Sequence, residues 1–482
     1  MKKKVMFFVM LLFASIMLTS CDIKTFLDSL RSSNESEEIE DIESIPSVEN
    51  SVVASQEIGD LVLKQIDFNN SLDADGPMLK HTLPSVGKPN ILVIPINLNA
   101  TAIENSKISD IYYAFNGTSD ETGWESVKTY YQKSSYNQLD LQIDVINEWY
   151  TPKNEISYYE KYNNEYNEEG SHQLLNEAIE FYDNVIDYSK YDSDNDGSID
   201  AVWVIYNHKI DYDNNGFYWA YASTNPNSKK YDGVKAYRFA FAGFDFIHPN
   251  DIEAGSYNPS GINYDAHVFI HETGHMFGLD DYYDYNPSVG ASGGCYGADM
   301  MDYNVGDHSP ISKLLLGWVD PIVVSGSGTA SFGLTSFAET GKFLLISDHE
   351  IESIYDEYFL IEFYNNDGLN KRDNLVPNAH GIRVMHIDAR KNIVDGTVKY
   401  NSGSYRTGFM YDNSDEEYLF CNTLRADIGN DGVLKRYSLY GIMNSFSNDY
   451  GNYKMHSGSN IPFSFKVVNI NETQIDITLS LG

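Results

Sequence analysis

The segment from Asp265 to Phe277 constrains this chain more tightly than any other. It reads as one helix, on which His271 and His275 stand four residues apart, one turn from each other on the same face. Gly278 follows at the point where a left-handed residue lets the chain turn away. The segments around it supply a body. Asn90 to Leu98 and Ala201 to Tyr206 are apolar and β-branched, the composition of buried strands. Leu139 to Val145 alternates, and Tyr218 to Ala222 and Tyr237 to Phe241 read as further strands. Trp124 to Lys133 and Ile311 to Trp318 are predicted helices. His172 to Ile186 is an amphipathic one, with Leu174, Leu175, Ala178, Ile179, Tyr182 and Val185 on one face. Strands and helices intermix, so residues 88–322 are expected to form an α+β unit. After Pro321 the texture changes to short alternating strands separated by Gly, Asn and Asp. Phe343 to Ser347, Tyr358 to Phe363, Gly381 to Ile387 and Ile475 to Leu481 predict a C-terminal β-sandwich over residues 323–482.

The chain has 482 residues, which suits two or three domains, and 42% of them are hydrophobic, enough for a sizeable core. Its formal net charge is −37. That argues against nucleic acid as a partner, because no basic patch is available to neutralise phosphates. Such acidity serves solubility outside a cell and, where carboxylates cluster, binding of divalent cations. Cys21, Cys295 and Cys421 do not make a disulfide framework. Cys295 and Cys421 are expected either to pair in an oxidising compartment or to stay buried as thiols.

Residues 1–21 read as an address. Lys2, Lys3 and Lys4 precede an apolar run from Val5 to Met17, too short to span a bilayer. Leu18-Thr19-Ser20-Cys21 then resembles a bacterial lipobox, which predicts cleavage before Cys21 and a lipid on its thiol. The expected location is the outer face of a bacterial cell membrane, held there by lipid. Residues 22–87 are expected to hold an acidic, solvated tether, since Ser32 to Asn50 is rich in Glu and Ser and poor in apolar groups. Ser51 to Pro84 suits a short pro-segment or an accessory strand.

The chemistry centres on His271-Glu272-Thr273-Gly274-His275. Two imidazoles one turn apart can share a Zn²⁺ at about 2.0–2.1 Å. Glu272, beside them, is placed to take a proton from an attacking water and pass it to a leaving amine. Asp281 lies ten residues after His271, where the extended zinc motif His-Glu-x-x-His-x-x-Gly-x-x-(His or Asp) places its third ligand. Asp280, one residue off, and His308 are the other candidates for that place. His267 is one turn before His271, but three ligands in line on one helix do not make a tetrahedron, so it reads as a packed or supporting residue. Met301-Asp302-Tyr303 resembles the Met-turn that underlies the metal in metzincins. Tyr303 is expected either to support an oxyanion or to pack as an aromatic there.

Residues 271–283 together resemble the zinc motif of the immune inhibitor A family of bacterial metallopeptidases. Glu125 to Tyr136 resembles that family's helix before the zinc helix. Tyr358 to Glu362 and Gly381 to Asp388 resemble strands of its β-sandwich. The resemblance runs from about Lys88 to the C-terminus. It implies a metzincin-like catalytic fold, bound calcium and endopeptidase activity on proteins. An acidic loop fits the calcium: Asp192, Asp194, Asp196 and Asp200 occupy positions 1, 3, 5 and 9 of an EF-hand-like loop with Gly197 at position 6. Position 12 is Trp203, so a full EF-hand is rejected and another segment would have to complete the site. Asp211 to Gly216 and Asp427 to Gly432 read as turns.

The expected function is zinc-dependent hydrolysis of peptide bonds in extracellular proteins, with Glu272 as general base. The competing readings are a peptidase fold turned inactive surface binding lipoprotein, whose mark would be a lost Glu272 or histidine, and a solute-binding lipoprotein, which gives no reason for the zinc motif.

Overall fold

The computed structural model describes residues 54–59, 61–65, 81–98, 107–164, 167–208, 217–248, 261–283, 294–351, 354–373, 378–394, 397–400, 413, 419–427, 438–442 and 444–482. Cys21, the apolar run before it, most of the acidic tether and Asp211 to Gly216 lie outside them. Among the described residues no helix is long and apolar enough to cross a membrane.

Three sheets carry the fold, with helices around one of them. The first has the order β4-β3-β7-β11-β8, formed by Gln142–Val145, Asn90–Ile96, Ala201–Tyr206, Arg238–Gly243 and Tyr221–Thr224. β4, β3, β7 and β11 run parallel, and β8 closes the edge antiparallel to β11. Parallel strands need crossovers that cover both faces, so their side chains are buried on both sides. That is why Ile91, Leu92, Val93, Ile94 and Ile96 form an unbroken apolar run and are all fully buried. Each contributes about 1.5–3 kcal/mol by leaving water. Helices α1 (Ile108–Asn116), α2 (Val127–Ser134) and α4 (His267–Phe277) pack on one face, where Phe115, Tyr131 and Phe269 join Trp203 in one core. α3 (Glu169–Tyr182) covers the other, with Leu174, Leu175, Ala178 and Ile179 against Leu92, Ile94 and Val202.

The other two sheets lie C-terminal. One has the order β19-β16-β15-β14-β12-β2, from Cys421–Thr423, Gly381–Asp388, Glu357–Tyr364, Phe343–Ile346, Ile322–Ser325 and Val62–Gln65. The other is β1-β13-β22-β21-β20, from Ala54–Gly59, Gly328–Thr335, Gln474–Leu481, Phe463–Ile470 and Ser445–Phe446. Their facing sides share one apolar cluster, in which Phe359, Ile361, Ile382 and Val384 meet Phe332, Phe463, Phe465 and Ile477. The reverse side of the six-stranded sheet is also buried. Tyr358, Leu360, Met385 and Ile387 belong to the same cluster as Trp203, Phe269 and Met276. β15 and β16 are therefore buried along their whole length. The core does not divide at residue 322. Three short ribbons complete the strands: β5 and β6 (Asn163–Asn164, Asn167–Glu168), β9 and β10 (Lys230–Tyr231, Val234–Lys235), and β17 and β18 (Lys391–Val394, Thr397–Tyr400).

The chain is thus a mixed α/β protein of several sheets and few helices, compatible with α+β. Ala54–Gly59 and Val62–Gln65 are strands that extend both C-terminal sheets, β1 on β13 and β2 on β12, which favours the accessory-strand reading of that segment. α3 ends at Tyr182, and Val185 of the predicted apolar face is 78% exposed beyond it. Cys295 and Cys421 are buried thiols, unbonded but side by side.

Candidate metal centre

α4 is buried along its whole length and anchored from several sides. At its start, the His267 ring stacks on Trp124 with centroids 4.3 Å apart. Its Nδ1 lies 2.5 Å from Asp265 Oδ1. Its Nε2 stands 3.1 Å from Asp373 Oδ2, too poorly aligned for a hydrogen bond but close enough for an ion pair. Burial alone would lower the His267 pKa, yet the Asp373 and Asp265 carboxylates outweigh it and push it up to about 10. In mid-helix Tyr131 donates to the Ile270 carbonyl at 2.7 Å, and Trp203 Nε1 donates to Thr273 Oγ1 at 3.2 Å. At the end Gly278 takes φ 103°, a conformation that favours glycine, and its N–H caps the last turn.

This rigid helix aims two rings at one point. His271 Nε2 lies 2.8 Å from Asp281 Oδ1, His275 Nε2 lies 3.3 Å from the same oxygen, and the two Nε2 atoms are 3.1 Å apart. Each ring is fixed from behind: His271 Nδ1 donates to the Met300 carbonyl at 3.1 Å and His275 Nδ1 to the Leu279 carbonyl at 2.9 Å. A neutral imidazole that donates from Nδ1 carries its lone pair on Nε2, the arrangement metal-binding histidines adopt. Two lone pairs and a carboxylate then converge with no proton between them, a donor set that fits a divalent cation. The Asp281 carboxylate overrides burial and pushes His275 up to about 10, and the two rings hold Asp281 well below the usual carboxylate range.

Glu272 is buried beside this set, accepts the Ala222 backbone N–H from the edge strand β8, and is raised by burial against the pull of both histidines. The turn beneath is the short helix α5 (Met300–Tyr303), capped by Asp299, whose Oδ1 accepts from Met301 N at 2.8 Å. Met301 presses against α4 at Gly274, where a Cβ would sit 2.4 Å from its sulfur. Asp280 does not join the donor set; its Oδ1 accepts from Asp281 N at 2.9 Å and shapes the turn. His308 is fully buried with Nδ1 3.2 Å from Asp299 Oδ1, and helps hold this turn. Tyr303 interacts with Asp302 and Tyr296. The tyrosine at the metal residues is Tyr283, which the sequence reading passed over: its hydroxyl hydrogen-bonds Asp281 and its ring lies 6.5 Å from His271. Its signal was its place two residues after Asp281. Asp373 and Trp124 were also missed, being distant in sequence from the helix they clamp.

The acidic loop is assembled in part as expected. Asp192, Asp194 and Asp200 bring one oxygen each within 4.8 Å of one another. Asp196 departs from the expectation and turns away to His81, 2.6 Å from its Nδ1. Burial raises Asp200 to about 6, although Asn90 N and Ser193 N donate to it.

Neither a scan against models of known protein families nor a search of curated proteins returns a match to this chain.

Proposed function

We propose that this chain is a zinc metalloendopeptidase with a metzincin-like catalytic unit and a C-terminal β-sandwich, lipid-anchored through Cys21 on the outer face of a bacterial membrane. The observation that carries the reading is the convergence of His271 Nε2, His275 Nε2 and Asp281 Oδ1 beside a buried Glu272. Those three residues would hold the metal, and Glu272 would take a proton from the attacking water and deliver it to the leaving amine. Zinc bound there would polarise a scissile carbonyl and bring the pKa of an attacking water to about 7. The edge strand β8 is half-exposed and turns its Ala222 N–H toward Glu272, so an extended substrate peptide can pair along that edge and meet the base. Tyr283 holds Asp281 in place and is better sited than Tyr303 to face a developing oxyanion. Asp192, Asp194 and Asp200 would hold calcium, which offsets the cost of three neighbouring carboxylates.

The test is cleavage of casein by a soluble form that begins near Asp22, with and without a zinc chelator, beside Glu272→Ala. Cleavage lost in both controls supports the reading. Bound zinc with no cleavage of any protein substrate would sink it.

A further inference from the structure

A second cluster of metal-ligating side chains lies in the C-terminal sheets, outside the motif helix. Glu357 opens β15, His386 lies near the end of β16, and His456 lies on the connection between β20 and β21. One nitrogen of each ring and one Glu357 oxygen lie within 4.8 Å of one another. Glu357 and His386 are 1% exposed, while the His456 side chain is 11% exposed and opens the cluster toward solvent.

Both rings are oriented from behind, as at the first centre. His386 stacks on Phe359 at 4.6 Å, and its Nδ1 lies 2.8 Å from the Tyr453 hydroxyl. His456 Nδ1 lies 2.8 Å from Asp388 Oδ2. The Asp388 carboxylate can only accept, so His456 donates from Nδ1 and carries its lone pair on Nε2, and His386 Nε2 points at Glu357 Oε1, 3.1 Å away. Arg390 pairs bidentately with Asp388 at 2.8 and 2.7 Å and stands 3.4 Å from Glu357 Oε2. One guanidinium thus faces two buried carboxylates, and the Ser457 N–H also donates to Glu357 Oε2 at 3.1 Å.

We propose that Glu357, His386 and His456 form a second divalent metal site of the zinc class, in which Asp388 and Tyr453 orient the rings. Two imidazoles and a carboxylate are the donors that such an ion selects over calcium or magnesium. Its position gives it a bracing role. It ties the loop carrying Tyr453 and His456 to β15 and β16. The end of β16 leads on to the metal centre, because Asp388 N donates to the Phe420 carbonyl at 2.9 Å and Phe420 packs on Tyr282, 5.4 Å away, next to Asp281.

The experiment counts zinc by mass spectrometry in the full chain, after equilibration with zinc and removal of excess. It compares wild type with His271→Ala, His456→Ala and Glu357→Gln, and circular dichroism checks the fold. The expected result is two zinc equivalents in wild type, one fewer in each single variant, and none in the His271→Ala, His456→Ala pair. Added zinc should raise the unfolding temperature of His271→Ala protein, and this gain should vanish when Glu357→Gln is combined with it. A single equivalent in wild type that is lost with His271→Ala overturns the proposal. So does a zinc content unchanged by His456→Ala and Glu357→Gln. Because His271→Ala isolates the second site, loss of the peptidase reading would leave this result standing.

Discussion

Replacing Glu272 with Gln keeps the side chain's shape and removes its capacity to take a proton. On the proposed mechanism, kcat/KM on a peptide substrate falls about 10²–10⁴-fold while zinc content stays unchanged. Equal loss of both would instead mark Glu272 as a structural residue. Gly274 makes a separate claim. A Cβ there meets the Met301 sulfur at 2.4 Å, so Gly274→Ala must displace the buried Met301 side chain from the turn whose Met300 carbonyl fixes His271. Such overpacking costs about 1–3 kcal/mol, and zinc affinity should fall with it. His267 sets a pH dependence. Its folded pKa, about 10, lies above its unfolded value near 6.5. The folded state therefore holds a proton that the unfolded state has lost, and stability from this group is fully present below about pH 6.5 and is lost as pH rises toward 10. Unfolding free energy measured across that range should slope downward in wild type and less steeply in His267→Gln. Equal slopes would show that Asp265 and Asp373 do not hold a charged ring.

At the scale of elements, the short helix α6 (Pro310–Leu315) packs on β15 and carries Lys313 into a buried place beside Tyr136 and Phe337. Lys313 Nζ lies 2.6 Å from Asp307 Oδ2 and 4.3 Å from the centre of the Tyr136 ring, and Ser134 donates to Asp307 at 2.6 Å. Lys313 is fully buried, and burial lowers its pKa. Lys313→Met leaves the Asp307 charge uncompensated and should cost about 3–5 kcal/mol, whereas adding Asp307→Leu should recover much of that loss. Chemical denaturation of the single and double variants decides it. Elements of strong periodicity were legible in the sequence. β3, β7, α3 and α4 sit within a few residues of their expected bounds because their burial is set locally, by an apolar run or a single face. The donor set was legible for the same reason, since His271, His275 and Asp281 fall within eleven consecutive residues. What was not legible comes from pairing at long range. Asp373 reaches His267 across more than a hundred residues, and Glu357 meets His456 across a similar span. Asp196 misled because loop spacing does not reveal that His81, from another segment, competes for it.

At the scale of the whole molecule, the six-stranded sheet is the element on which both halves depend. Composition after residue 321 suggested a separate sandwich, but alternation along β15 says otherwise. Phe359, Ile361 and Phe363 face one core, while Tyr358 and Leu360 face the other, so both sides of this sheet are inner sides. Leu345, Met385, Ile387 and Phe420 are likewise packed into the core that holds Trp203 and Phe269. Cutting the chain at residue 322 would bare those apolar side chains on one piece and the helices around α4 on the other. Each side chain so exposed forgoes about 1.5–3 kcal/mol, and a domain's net stability is only about 5–15 kcal/mol, so neither piece has enough left to fold alone. Residues 88–322 expressed by themselves should be insoluble or molten, without bound zinc. The chain from residue 54 onward should unfold in a single transition, seen alike by circular dichroism and by release of zinc. Two separated transitions, or a soluble zinc-binding fragment ending at residue 322, would show instead that the shared sheet is a contact between independent domains and not a common core.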